Sequence, residues 1–268
     1  MKRSPSLVAG VVIIGALSGM AFLGNIWTPY DPTTVNSTNV FDPFSWQHLL
    51  GTDQLGRDVL SILMAGSRTS LAAAAAAVII AMALGLSVGI LAATVSRRAD
   101  DFITATLAIG LAFPALLVAL ILAATYGPST EIAIVAIGLA TSTSVALVTR
   151  SEARRILGTS YVIAARYAGA NTTEVIRRHV LRNLLPSITV QASGVASIAI
   201  AAEATLSYLG LGTTPPHPSW GRMLASTQQY ILVTPLLPLW PALVIALAIY
   251  GCNLLGDGLR EYFDPTLT

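Results

Sequence analysis

"YVIAARYAGANTTEVIRRHVLRN", running from Tyr161 to Asn183, is a basic, helix-forming segment set between two long apolar runs. It carries Arg166, Arg177, Arg178 and Arg182, and it divides at Gly169. Thr159 or Ser160 is placed to cap a first helix from about Tyr161 to Ala168, with Gly169 as its left-handed stop. Asn171 followed by Glu174 has the spacing of a capping box, with Asn in place of the usual Ser or Thr. A second helix then runs to about Leu185, where Pro186 ends it or opens the next apolar run. Val175, Ile176, Val180 and Leu184 mark its apolar side, and Arg177, Arg178 and Arg182 are its polar residues.

The chain around this segment has the composition of a membrane protein. Of its 268 residues 54% are hydrophobic and 10% charged, with a mean hydropathy of +0.71. Soluble domains carry about a quarter of their residues as charges. A helix needs about 20 mostly apolar residues to cross the hydrocarbon. Six stretches qualify, near 6–27, 70–95, 102–125, 130–149, 187–209 and 235–256. The first follows Lys2 and Arg3, as a signal peptide would. Its apolar run is longer than a signal core and no small-x-small site follows, so a retained span is expected.

Six spans put both termini on one side, and basic residues choose which. With the N-terminus inside, the inner segments hold Lys2, Arg3, Arg97, Arg98, Arg150, Arg154, Arg155, Arg166, Arg177, Arg178, Arg182 and Arg260. The outer segments hold only Arg57, Arg68 and Arg222. This asymmetry places Tyr161–Asn183 in the cytoplasm, between spans four and five.

Several chemistries are excluded. Lys2 is the only lysine, so the chain has no phosphate-binding loop of the GxxxxGK[ST] type, and energy from ATP has to come from a partner. The single Cys252 has no intramolecular disulfide partner and reads as a small packing residue. His48, His179 and His217 are far apart, and no HExxH or CxxC occurs. A membrane-embedded enzyme is disfavoured on those grounds. An ion-coupled carrier would need buried carboxylates or broken helices near the midplane.

The spans read as members of a packed bundle. Ala72 to Ala77 is an unbroken alanine run, and Gly85 and Gly89 form a small-xxx-small pair of the kind that lets helices approach closely in lipid. Pro114 should kink span three. The hydroxyls of Thr141 to Ser144 either bond across helices or line a polar path. Glu203, the one ionisable residue deep in a span, has either a structural partner or a place on a pathway.

Two outer segments remain. In 28–69, Asp53 is placed to cap a helix carrying Leu55, Val59, Leu60, Leu63 and Met64, which would lie along the outer interface before span two. In 210–234, Pro215, Pro216 and Pro218 imply a stiff, extended chain, and Trp220 suits the headgroup level. Both segments are either plain connectors or a surface that receives a partner or solute. The division expected is 1–69, an N-terminal span with its outer interfacial segment, and 70–268, a core with an inner loop at 150–186.

A basic inner helix pair is either held by anionic lipid or docks a soluble protein. The small residues Ala164, Ala165, Ala168 and Ala170 around a glycine favour a groove. The segment resembles the EAA loop of binding-protein-dependent ABC importer permeases, with Tyr161, Ala164, Ala165 and Gly169 on its pattern. Two positions depart: Ile163 stands where the family has Glu, and Leu181-Arg182 where it has Leu-Pro, the Leu-Pro here being 185–186. "LGTDQLGRDVLS" (50–61), "SYLGLGTTPPHPSWGRML" (207–224) and "LGDGLREYFDPTL" (255–267) resemble the dipeptide/oligopeptide/nickel permease family, in its DppC/OppC-type subunits.

That resemblance implies an all-α membrane protein of type I ABC importer permease architecture in a bacterial inner membrane, both termini cytoplasmic. It implies a DppB-like second permease subunit, two ATPase subunits that bind ATP and Mg, and an extracytoplasmic solute-binding protein. No cofactor, metal, nucleic acid or catalytic residue is implied for this chain. The ATPase-docking residues would be Tyr161, Ala164, Ala165, Arg166, Gly169, Ala170, Asn171 and Glu174. Glu203, Ser207 and Tyr208 are candidates for a pathway or outer gate, and Asp53, Arg57, Asp58 and Trp220 for contact with the binding protein. Dipeptides or oligopeptides are the expected cargo. Nickel chelates, haem-like compounds and other small solutes are the alternatives.

Overall fold

The computed structural model describes residues 4–263. Lys2 and Arg3, counted above toward the inner side, and the end of the 255–267 motif lie outside the described residues. The regular secondary structure of the described chain is helical, save an isolated bridge between Thr52 and Asp58. Helices α1 (Pro5–Ile26), α2 (Val59–Thr94), α3 (Arg97–Ala112), α4 (Ala115–Tyr126) and α5 (Thr130–Leu157) lead to a short α6 (Ser160–Tyr167). A turn of helix α7 (Thr172–Val175) runs through a π turn, Ile176–Val180, into α8 (Leu181–Tyr208). The short α9 (Trp220–Thr227) and then α10 (Leu236–Phe263) complete the fold.

Five helices are long and apolar enough to cross a membrane: α1, α2, α5, α10 and the continuous rod Thr172–Tyr208. The pair α3 and α4 passes the same test jointly, bent by 80°, and counting it as one broken span gives six. The kink expected at Pro114 is therefore a full break. Phe113 is forced into an extended conformation by the proline that follows it, and Pro114 becomes the N-cap of α4.

Two other expectations are corrected. No separate interfacial helix precedes span two, because α2 begins at Val59 and crosses residue 70 without interruption. Its N-cap is Asp58, not Asp53, since the Asp53 carboxylate is taken up by its own loop. Pro186 neither ends a helix nor starts one. It lies inside α8, so the second half of the basic segment and span five form a single rod. An interior proline removes one ladder hydrogen bond, a loss that membrane helices tolerate when neighbours absorb it.

Lipid supplies no hydrophobic drive between helices, so close packing has to. The most extensive pairing is α2 on α5. A Cβ added at Gly85 would lie 2.5 Å from the Val145 side chain, and one at Gly89 would lie 2.6 Å from the Ala146 carbonyl. From the other side, a Cβ at Gly138 would meet Ile80 at 2.7 Å. The glycine pair thus faces α5, with Ala77, Ala81 and Ala136 buried along the same seam. The α1 helix packs on α10 through Gly10 and Gly251, and on α2 where Gly24 meets Met64. The hydroxyls of Thr141, Ser142 and Thr143 bond back to carbonyls of their own helix, and so do not bridge to another.

Substituting Gly85 by Leu overpacks the α2–α5 seam and should cost about 1–3 kcal/mol. The measurement is the thermal midpoint of the detergent-solubilised protein. Gly15→Ala is the control, because a Cβ there meets no atom within 4 Å and the midpoint should not fall.

Candidate functional site

The basic segment is built as the sequence suggests, with one addition. Helix α6 ends in a Schellman motif: the Ala170 N–H donates to Ala165 O and the Gly169 N–H to Arg166 O. Gly169 sits at φ +94°, the left-handed conformation that glycine adopts without strain. The Asn171 side chain accepts from the Glu174 N–H at 2.8 Å. The reciprocal half of the capping box is absent, as Glu174 pairs with Arg178 at 2.8 Å instead. The addition is the π turn, where the Leu181 N–H reaches back five residues to Ile176 O.

Val162 is the only buried residue of α6. It inserts fully into a cluster with Ala153 and Ile156 of α5, Val175, Val180 and Leu184. Ala165 is partly covered, the other α6 side chains are exposed, and Tyr167 is 90% exposed. Ala164, Arg166 and Tyr167 are uncovered in this chain, as is Ile163, the residue that replaces an acid. Tyr161 leans toward the rod, its hydroxyl 3.3 Å from the Asn183 amide and its ring 5.8 Å from that of His179. Tyr167 and Ile163 were not among the sequence candidates. A helix anchored by one valine leaves all its other large side chains outward, and that follows only from the packing.

A second cluster went unread in the sequence. Asp100, buried at the start of α3, accepts from Arg150 at 2.6 Å and pairs with Arg154 at 2.6 Å. The two arginines stand one turn apart on α5, so this carboxylate ties α3 to the end of the helix that carries α6. The i, i+4 arginine pair was the available signal, yet its acidic partner lies fifty residues away.

On the opposite end, the candidate contact residues turn out to be mostly internal. Asp58 caps α2 through the Ser61 N–H and hydroxyl at 2.8 and 2.7 Å, and its other oxygen holds His48 Nδ1 at 2.9 Å. Asp53 accepts the Leu55 and Arg57 N–H groups and pairs with the Arg57 guanidinium at 2.6 Å. Trp220 is fully buried between α2 and α9, donating its indole N–H to Leu63 O and its backbone N–H to Ser70 Oγ. The headgroup-level position expected for Trp220 is therefore corrected: its indole fills the junction core. Asp53 and Asp58 likewise shape the surface of this end from beneath. Arg57 remains partly exposed and lines a cleft with Arg222, Pro216 and Pro218. Burial, and next the charge of Arg57, hold the Arg222 guanidinium below its ordinary pKa. Trp27 and Trp46 are the tryptophans left exposed on this side.

Glu203 is 1% exposed and sits in a nest of hydroxyls. Ser207 Oγ donates to its Oε1 at 2.7 Å, and the Thr213 N–H donates to Ser207 Oγ at 3.0 Å. Its Oε2 is buried without a partner. In this chain the carboxyl faces inward, where it clasps the turn after α8. Tyr208, half-exposed, bonds the Gln228 side chain.

Comparison with known proteins now bears on these two ends. Residues 85–268 match the model of a family described as "Binding-protein-dependent transport system inner membrane component". The chain belongs to that family. Among its relatives, the di/tripeptide transport permease DppC of Pseudomonas aeruginosa is 38% identical, covering 94% of this chain and 88% of its own length. The nickel transport permease NikC of Escherichia coli is 32% identical, covering 98% and 95%. The dipeptide permease DppC of Alkalihalophilus pseudofirmus is 33% identical, covering 100% and 88%. A chain of the MetNI methionine ABC transporter, solved facing inward, shares the fold at TM-score 0.62 and 17% identity, covering 75% of this chain and 95% of that one. The protein is thus a multi-pass inner-membrane permease of an ABC importer, with type I architecture, working with ATPase and binding-protein partners.

In this permease the Glu203 nest makes a stability prediction. Glu203→Ala leaves the buried Ser207 hydroxyl without its acceptor and should cost about 1–3 kcal/mol. Glu203→Gln keeps an acceptor and should melt near wild type. Equal thermal midpoints for wild type and Glu203→Ala would exclude the clasp.

Proposed function

We propose that this permease imports dipeptides or oligopeptides, that α6 is its docking element for the ATPase, and that both termini face the cytoplasm. The observation that carries the docking role is the uncovered surface of α6, held on the bundle by Val162 and stopped by a Schellman turn. A short helix bearing Ala164, Arg166 and Tyr167 outward, with nothing packed on it, is shaped to enter a cleft. Ala165, Ala170, Asn171 and Glu174 hold its exit, and Tyr161 braces it against the rod. With Ile163 outward, the cleft that receives it needs an apolar wall at that point.

Nucleotide-driven closing of two ATPase subunits would push α6, and the rod Thr172–Tyr208 would carry that displacement along its length. Such a switch needs differential binding of nucleotide to two states, with packed elements moving as units. A DppB-like subunit would complete the path as a heterodimer. The binding protein would meet the outer face at the Arg57–Arg222 cleft, with Glu203, Ser207 and Tyr208 holding the adjoining turn as part of an outer gate. Peptide cargo is favoured by kinship with the di/tripeptide and dipeptide permeases. The nickel relative keeps a chelate as the second reading, which the ligand carried by the partner binding protein decides.

Tagged permease should co-purify with an ATP-hydrolysing subunit. A β-branched residue at the φ of Gly169 costs about 1–3 kcal/mol of strain. Gly169→Val should therefore lower transport-coupled hydrolysis roughly tenfold, equivalent to about 1.4 kcal/mol, while the yield of folded chain holds. Unchanged coupling would remove α6 from the docking role. For sidedness, Thr172→Cys in a Cys252→Ala background should react with an impermeant maleimide only from the cytoplasmic face.

A further inference from the structure

A crevice of about 510 Å³ opens between α1 and the bundle, walled by α1, α2, α8 and α10. Its lining is apolar along most of its length, with Ile14 and Phe22 of α1, Ala75 of α2, and Cys252 at its inner part. Besides Ser18, midway along α1, its polar lining groups are Asn25, next to the last residue of α1, and Arg68 in the first half of α2. Arg68 is exposed and makes no ion pair among the described residues. From Ile14 to Asn25 the crevice follows α1 for about 16 Å, at 1.5 Å per residue.

We propose that this crevice is a phospholipid site, with one acyl chain lying along α1 and the phosphate on Arg68. All four walls belong to helices long and apolar enough to span the bilayer, so the medium that reaches the opening is lipid. Charge complementarity selects the headgroup: an unpaired guanidinium at the end of a crevice between membrane helices takes a phosphate. An acyl chain is narrow enough to enter beside Ala75. The lipid would fill the space beneath α1 and complete its packing on the core. The site does not depend on which face of the membrane Arg68 occupies, or on what the permease transports.

The test uses the assembled transporter, extracted in mild detergent, stripped of loose lipid and titrated with phosphatidylglycerol, with bound lipid counted by native mass spectrometry. Wild type should hold phosphatidylglycerol through a wash that removes it at least fivefold more completely from Arg68→Gln and from Ala75→Leu. Arg68→Gln removes the charge without changing the crevice, and Ala75→Leu fills the chain path while keeping the charge. Inorganic phosphate should not displace the lipid. Equal retention by wild type and both variants would overturn the site. Sensitivity to Arg68→Gln alone, or displacement by free phosphate, would mean a bare anion site and would equally overturn it. Both variants should keep their ATPase partner, so loss of lipid reads separately from loss of docking.

Discussion

Helices α2 and α5 approach so closely that no Cβ fits at Gly85, Gly89 or Gly138, and the arrangement of every other span follows from that contact. In lipid, apolar surface gains nothing by leaving the solvent, so backbones are held together by dispersion over short distances. Small residues on facing helices are the means. Once α2 and α5 are joined, α3 and α4 are tied beside α5, α8 joins both, and α10 and α1 close around them. The polar ends are then pinned by charge and hydroxyl groups: Asp100 with Arg150 and Arg154 at one end, Asp58 with His48 and Glu203 with Ser207 at the other.

This arrangement gives the two ends different mechanical characters. At the α6 end, a single buried valine and a glycine stop hold a small helix whose face is otherwise free. At the other end, Asp53, Asp58 and Trp220 are spent internally, fixing loops that would otherwise be loose. The rod from Thr172 to Tyr208 reaches from the exit of α6 to the Glu203 clasp.

Much of this was legible from residue order, and what was not has a common cause. Both ends of α1, the starts of α5 and α10, the stop at Gly169, the Asn171 cap and the glycine face of α2 depend on local spacing or local backbone chemistry, which sequence displays. The start of α2 was misplaced because Asp53 and Asp58 both precede apolar residues at helical spacing, and only the loop decides which carboxylate is free to cap. Trp220 read as interfacial because tryptophan suits that depth, whereas a cavity between α2 and α9 takes it up whole. The partners of Asp100 lie fifty residues away, so no short window of sequence contains them, whereas the Ser207 partner of Glu203 is one turn along the same helix.

The π turn at Ile176–Val180 acts as an index on the rod. In an uninterrupted α-helix Val175 and Val180 would point about 140° apart, at 3.6 residues per turn. The one-residue excess of the π turn brings both into the same buried cluster with Leu184. The angular setting of α6 about the axis of span five is thus stored as a residue count. A single deletion within the turn would swing α6 by about 100° relative to span five.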